Sequence, residues 1–134
     1  MGLALLVQLG CGAWNANLPK DDALVEKFHA NEAEFRSLVS YLSTQGGRLL
    51  KPEYQNRVKA LGVELSMNTS IDPPKIAFRA ASNGWALQGT SKGILYSAQP
   101  VAPILPSLDD CRLQPHSAGY RTIGPDWYVY LSRD

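Results

Sequence analysis

The 134-residue chain predicts an α+β domain. One long and one short N-terminal helix are expected to pack on an antiparallel sheet of about four or five strands, cystatin-like in general shape. Three observations predict this. Apolar residues recur at helical spacing in the first half, they alternate at strand spacing in the second, and Gly, Pro and Asn separate the runs. Residues 20–134 are expected to form this single domain, preceded by a signal-like segment and tether over residues 1–19.

The long helix is expected from Asp22 to about Thr44. Leu24, Phe28, Phe35, Leu38, Val39 and Leu42 recur at steps of three, four and seven, which puts them on one face. Asp21 and Asp22 stand where a carboxylate can cap free N–H groups and meets the positive end of the helix dipole. Gly46-Gly47 suits a C-terminal stop. The apolar stripe has one gap, at Asn31 and Glu32, which reads as an end overhanging the sheet or as a polar notch. Pro52 sits well as a first helical residue, so Glu53 to Leu61 reads as the short helix, closed by Gly62.

Strands follow. Val63 to Met67 alternates apolar and polar, and Lys75 to Ala81 places Ile76, Phe78 and Ala80 on one face. Asn83-Gly84 favours a tight hairpin because both residues tolerate positive φ, with Trp85 to Ser97 as the returning strand. Gly89 and Gly93 predict a bulge or bend in that strand. Gln99 to Pro115 contains Pro100, Pro103, Pro106 and Pro115 and reads as a long loop lying against the body. Tyr120 to Ile123, a turn at Gly124-Pro125-Asp126, and Trp127 to Leu131 form a final hairpin. Trp127, Val129 and Leu131 then face one way, and Tyr128 and Tyr130 the other.

Composition excludes little but is consistent. The net charge of +1, with acids and bases interspersed, makes no electrostatic case for nucleic acid or for an anionic membrane surface. No run reaches the roughly 20 apolar residues of a membrane span. The start is distinctive: Leu3-Ala4-Leu5-Leu6-Val7-Gln8-Leu9 is an apolar run ending in Gly10-Cys11, like the end of a bacterial lipoprotein signal in which the cysteine receives lipid. Cys11 is therefore the lipidation candidate, although no Lys or Arg precedes Lys20. The alternative places this run inside the fold, with Cys11 free or paired with Cys111.

No set of residues has the spacing of a known catalytic or metal site. Gly89-Thr90-Ser91-Lys92-Gly93 lacks the phosphate-loop spacing and no helix follows it, so Lys92 is read as crossing a sheet edge. His29 beside Glu26 and Glu32 reads as an exposed pairing on a helix. Asp109, Asp110 and His116 share a loop, but sequence supplies no contact among them. No catalytic residue, metal ligand or cofactor is therefore assigned. Trp85, Tyr96, Tyr128, Tyr130 and Lys92 form the candidate binding patch: aromatic residues on neighbouring strands make a core layer if they face the helix and a recognition strip if they face outward.

The order of these features carries a resemblance. A lipobox-like start precedes a helix with Phe28 and Phe35 and a short helix ending Leu61-Gly62-Val63. Then come Ser91-Lys92-Gly93-Ile94-Leu95-Tyr96-Ser97, Ser107-Leu108-Asp109-Asp110, and Tyr120-Arg121-Thr122-Ile123 through Trp127-Tyr128-Val129-Tyr130. Over most of residues 24–131 this resembles a family of small, uncharacterised lipoprotein-like proteins of Gram-negative bacteria. The resemblance implies a cell-envelope or periplasmic location and an approximate fold, and no mechanism. Three functions follow as expectations. The first is a non-enzymatic envelope protein that binds a protein partner and touches the membrane only through a lipid anchor. The second is a small-molecule binder or enzyme with a pocket between helix and sheet. The third is an inhibitor or immunity-type protein that binds through the 99–115 loop.

Overall fold

The computed structural model describes residues 18–45, 50–68, 75–83, 89–109 and 113–133. It is an α+β fold. Helices α1 (Asp21–Ala30), α2 (Glu32–Gln45) and α3 (Pro52–Ala60) pack with an open antiparallel sheet of five strands: β1 (Glu64–Asn68), β2 (Lys75–Asn83), β3 (Thr90–Tyr96), β4 (Ser117–Gly124) and β5 (Trp127–Arg133). The strand order is β1-β2-β3-β5-β4.

The expected long helix is two helices. Asn31 breaks it with φ −128° and ψ 24°, and its side-chain amide donates to the Lys27 carbonyl at 2.9 Å. Asparagine offers the backbone this local alternative to the helical ladder. The gap in the apolar stripe therefore marks a break, not an overhang or a notch. Phe28 and Phe35 still meet across it, with ring centroids 5.8 Å apart. The Asp21 and Asp22 side chains make no cap hydrogen bond at the start of α1; Lys20 occupies the N-cap position. The Asp21 N–H instead donates to Asp109 Oδ1 at 2.9 Å, a cap delivered from 88 residues away. At α3, Pro52 takes the first turn as expected, and Gly62 ends the segment at φ 73°.

The core lies between helices and sheet. Trp127 stands at its centre, with Phe28 at 4.8 Å, Tyr96 at 5.3 Å and Phe35 at 6.1 Å between ring centroids. Phe78 meets Phe35 edge-on at 5.1 Å. Leu24, Leu38, Leu42, Ile76, Ile94, Val129 and Leu131 complete this layer. Trp127, Val129 and Leu131 face inward as their alternation requires.

Two strand details differ from expectation. Asn83 pairs with Thr90, so six residues connect β2 to β3 and a two-residue Asn-Gly turn is excluded by register. Residues 84–88 themselves, Trp85 included, lie outside the described residues. The bulge sits in β2, between Arg79 and Ala81, and not in the glycine-flanked strand. Gly93 is its counterpart: a Cβ there would stand 2.2 Å from the Phe78 carbonyl oxygen. The glycine admits the displaced backbone of the neighbouring strand.

The Pro-rich segment is a crossover. Because β5 lies between β3 and β4, the chain leaving β3 must pass to the far edge before β4 begins. On the way Ile104 makes a parallel bridge to Tyr120 of β4. The Tyr120 N–H donates to the Pro103 carbonyl at 3.1 Å, and the Leu105 N–H donates to the Tyr120 carbonyl at 2.7 Å.

Candidate functional site

Beside the start of α1, four elements converge on a buried charge cluster. Lys92 of β3 is 2% exposed, because Thr90, Lys92 and Ile94 share the helix-facing side of the sheet. Its Nζ lies 2.7 Å from Asp21 Oδ1, and the Asp21 side chain is fully buried. Nζ also donates to Asp109 Oδ1 at 3.0 Å. The second Asp21 oxygen accepts the Leu108 N–H at 2.7 Å, while Arg121 Nη1 of β4 stands 3.4 Å from both Asp21 Oδ2 and Asp22 Oδ1. A lysine in this place is tolerable only with such partners, since an unpaired buried charge costs several kcal/mol.

The cluster ties the Pro-rich segment to the body. Leu108 is buried in the core and its N–H is held by Asp21, and Asp109 is held by Lys92 and the first N–H of α1. Burial raises the Asp109 pKa, but the Asp21 N–H and the Lys92 ammonium outweigh it, so the group titrates below its ordinary value. Upstream of this anchor, Ile104 projects outward at 51% exposure, the large apolar side chain most open to solvent among the described residues. Beside it lies an apolar groove of about 320 Å³, lined by Pro103, Leu105, Leu108, Leu113, Ala118 and Leu131 among others.

The residues singled out from sequence do not share one face. Tyr96 is on the helix-facing side, against Trp127, and Lys92 is buried on that side instead of crossing an edge. Tyr128 and Tyr130 are on the opposite face, where Tyr120 joins them: Tyr120 pairs with Tyr130 and meets Tyr128 at 6.3 Å. Tyr130 is nearly buried there, and burial pushes its phenol up to about 12. Trp85 and Cys11, with Cys111 and Asp110, lie outside the described residues. His29 makes the expected exposed pairing, its Nδ1 3.6 Å from Glu32. His116 sits at φ 60° on an exposed turn.

Comparison of the chain with family models, curated proteins and solved structures found no match. Among the described residues no group of three or more His, Cys, Asp or Glu could hold a metal ion. The buried lysine has both close partners ionic and acts as a brace. The helix–sheet layer is filled by Leu24, Phe28, Phe35, Phe78 and Trp127, all fully buried. Sequence reasoning missed Asp21 and Ile104. A signal existed for the first: Lys92 is two residues from the core residue Ile94, so alternation already pointed it inward, where a carboxylate partner is obligatory. For Ile104 no periodic signal exists, because its segment is neither helix nor continuous strand.

Proposed function

We propose that this is a non-enzymatic protein-binding domain whose recognition element is the Pro-rich segment of residues 99–109. One observation carries the reading: the segment is fixed to the body by two main-chain hydrogen bonds to Tyr120, by buried Leu108 and by the Asp109–Lys92 pair, yet it holds Ile104 out in solvent. A loop fixed this firmly has lost its conformational entropy on folding, so a partner does not meet that cost again. Loops held on a rigid scaffold carry a disproportionate share of binding residues.

The place of action we propose is the bacterial cell envelope, with Cys11 as the lipid-bearing residue. The apolar run before Gly10-Cys11 supports it. Fractionation of the native host and the intact mass of the recovered chain test this part, with Cys11→Ala as control. A membrane-bound chain beginning at Cys11 and carrying acyl mass is expected; an unmodified chain retaining Met1 refutes it. Binding is tested separately with a photo-crosslinking residue at exposed Ala102 of the full chain, expressed from its own locus. A discrete adduct is expected from Ala102 and none from a control at exposed Ser43. No adduct from Ala102, or equal adducts from both, refutes the binding role.

A further inference from the structure

We infer that β1 is a self-association edge: a second copy of this chain pairs its own β1 antiparallel to it, with a two-fold axis at Ser66, and joins the two sheets into one. The two ends of the sheet differ. At one end the β4 edge is covered, since the Pro103 carbonyl accepts from Tyr120 and the Leu105 N–H donates to it. At the other end β1 pairs with β2 alone, in an unbroken register, and among the described residues no main-chain group bonds to its outer side. Glu64-Leu65-Ser66-Met67-Asn68 holds no proline, lysine or glycine, and no bulge interrupts its pairing. Its one charge, Glu64 at the end of the strand, is engaged by Arg79 of β2. The edge therefore lacks the devices that ordinarily keep strands from pairing. It lies at the opposite end of the sheet from the Pro-rich segment and does not depend on what that segment binds.

What fits this edge is its own sequence. In an antiparallel ladder residues alternate: one turns both its N–H and its C=O to the neighbouring strand, and the next turns both away. The outward groups of β1 therefore belong either to Glu64, Ser66 and Asn68 or to Leu65 and Met67. Centred on Ser66, a second β1 sets Glu64 against Asn68 and Leu65 against Met67, so outward groups meet outward groups in both cases. The side chains match as well. Leu65 pairs with Phe78 and Met67 with Ile76, all on the helix-facing side. One apolar row then crosses the junction, from Phe78 and Leu65 of one copy to Met67 and Ile76 of the other. Leu65 and Met67 are only partly buried in a single copy, and each loses further exposure against the other. On the outer face exposed Ser66 meets Ser66 at the axis, and Glu64 meets the uncharged Asn68, beyond which stands Lys75 of the second copy. No like charges are set opposite one another. The axis runs perpendicular to the sheet, so both helix layers lie on one side and the two Pro-rich segments at the two outer edges. A two-fold contact requires this self-complementarity, which a strand of unrelated sequence has no reason to share.

The test is sedimentation of the purified full chain over a range of concentrations, with Ser66→Lys and Ser66→Glu as variants. Ser66 is exposed, so both variants should melt as the parent does and folding is not the variable. The parent should pass from one chain to two as concentration rises. Each variant sets like charges together at the axis and should weaken self-association about fivefold or more. An equal mixture of the two variants sets opposite charges there, and its association should return to within about threefold of the parent's. Amide exchange of the unsubstituted chain is an independent readout: the outward amides of β1 should slow as concentration rises, and those of β4 should not. A parent that stays a single chain overturns the inference and leaves the β1 edge to some other protein strand. A dimer that both variants leave unchanged, a mixture that does not recover, or β1 amides indifferent to concentration also overturns it, because the copies would then meet elsewhere.

Discussion

At the scale of single residues, Lys92 and Asp21 set the strongest constraint. Each is essentially removed from water, and each depends on the other. Removing one member of a buried pair leaves an uncompensated charge, so Lys92→Met should destabilise the fold by about 3–5 kcal/mol, read from the midpoint of urea unfolding. Adding Asp21→Leu should recover part of that loss, because it removes the fully buried carboxylate left without its lysine, while Asp109 and Arg121 keep access to water. Asp109 gives a pH signature. Its folded pKa lies below the ordinary value, so its stabilising contribution is present above that value and is lost as the pH falls through the depressed one. Asp109→Asn should flatten the acid limb of the stability profile; an unchanged limb would show that the ion pair contributes little, as its partial exposure of 36% allows. Tyr130 gives the alkaline counterpart. Its raised pKa means that stability is full below about 10, the unfolded value, and falls as the pH rises toward about 12. Absorbance titration should show late tyrosine ionisation, and Tyr130→Phe should remove the part of it that extends toward about 12, leaving that of Tyr120, which burial also raises.

At the scale of elements, the bulge in β2 and Gly93 in β3 form one device. The extra residue between Arg79 and Ala81 pushes backbone toward β3, where a side chain would collide with the Phe78 carbonyl. Gly93→Ala should therefore cost at least about 2 kcal/mol, well beyond a strand-propensity effect. A melting temperature equal to the parent's would mean the bulge can shift register. Glycine frequency in the strand signalled an irregularity there, but pairing decides which of two strands carries the extra residue, and sequence alone contains no pairing. The helix pair has the same character. The spacing of Phe28 and Phe35 marks one apolar face, and the two rings still meet across the break at Asn31. The break itself is a matter of one side-chain hydrogen bond outcompeting one helical turn.

At the scale of the whole molecule, the crossover links stability to recognition. The segment that presents Ile104 also covers the outer edge of β4, and its far end is locked by the cluster under α1. Tyr120 is on an edge strand, yet its N–H is held by Pro103. Its amide should exchange with solvent slowly, nearer to the rates of central β3 and β5 than to those of an ordinary edge. Asp109→Asn should speed that exchange without altering the amides of β3. Equal exchange at Tyr120 in both proteins would separate the loop from the cluster and weaken the case for a braced recognition element.

The sequence by itself determined the class of fold, the identity of most of the core and the facing of the last strand. Those properties follow from periodicity, which is local: Leu24 to Leu42 repeat at helical spacing and Trp127 to Leu131 at strand spacing wherever the chain goes. Only the tertiary structure decided the strand order, the placing of β5 between β3 and β4, and hence the path of the Pro-rich segment along an edge. It also divided the expected aromatic patch between the two faces of the sheet, because the register that sets Tyr96 against Trp127 puts Tyr128 opposite Leu95. And it alone brought Asp21, Lys92, Asp109 and Arg121 together over separations of up to 100 residues. Alternation with Ile94 marks Lys92 as inward, but which residues meet it there has no periodic trace. Each member is an ordinary polar residue in its own segment, and becomes obligatory only when packing removes water from around the others.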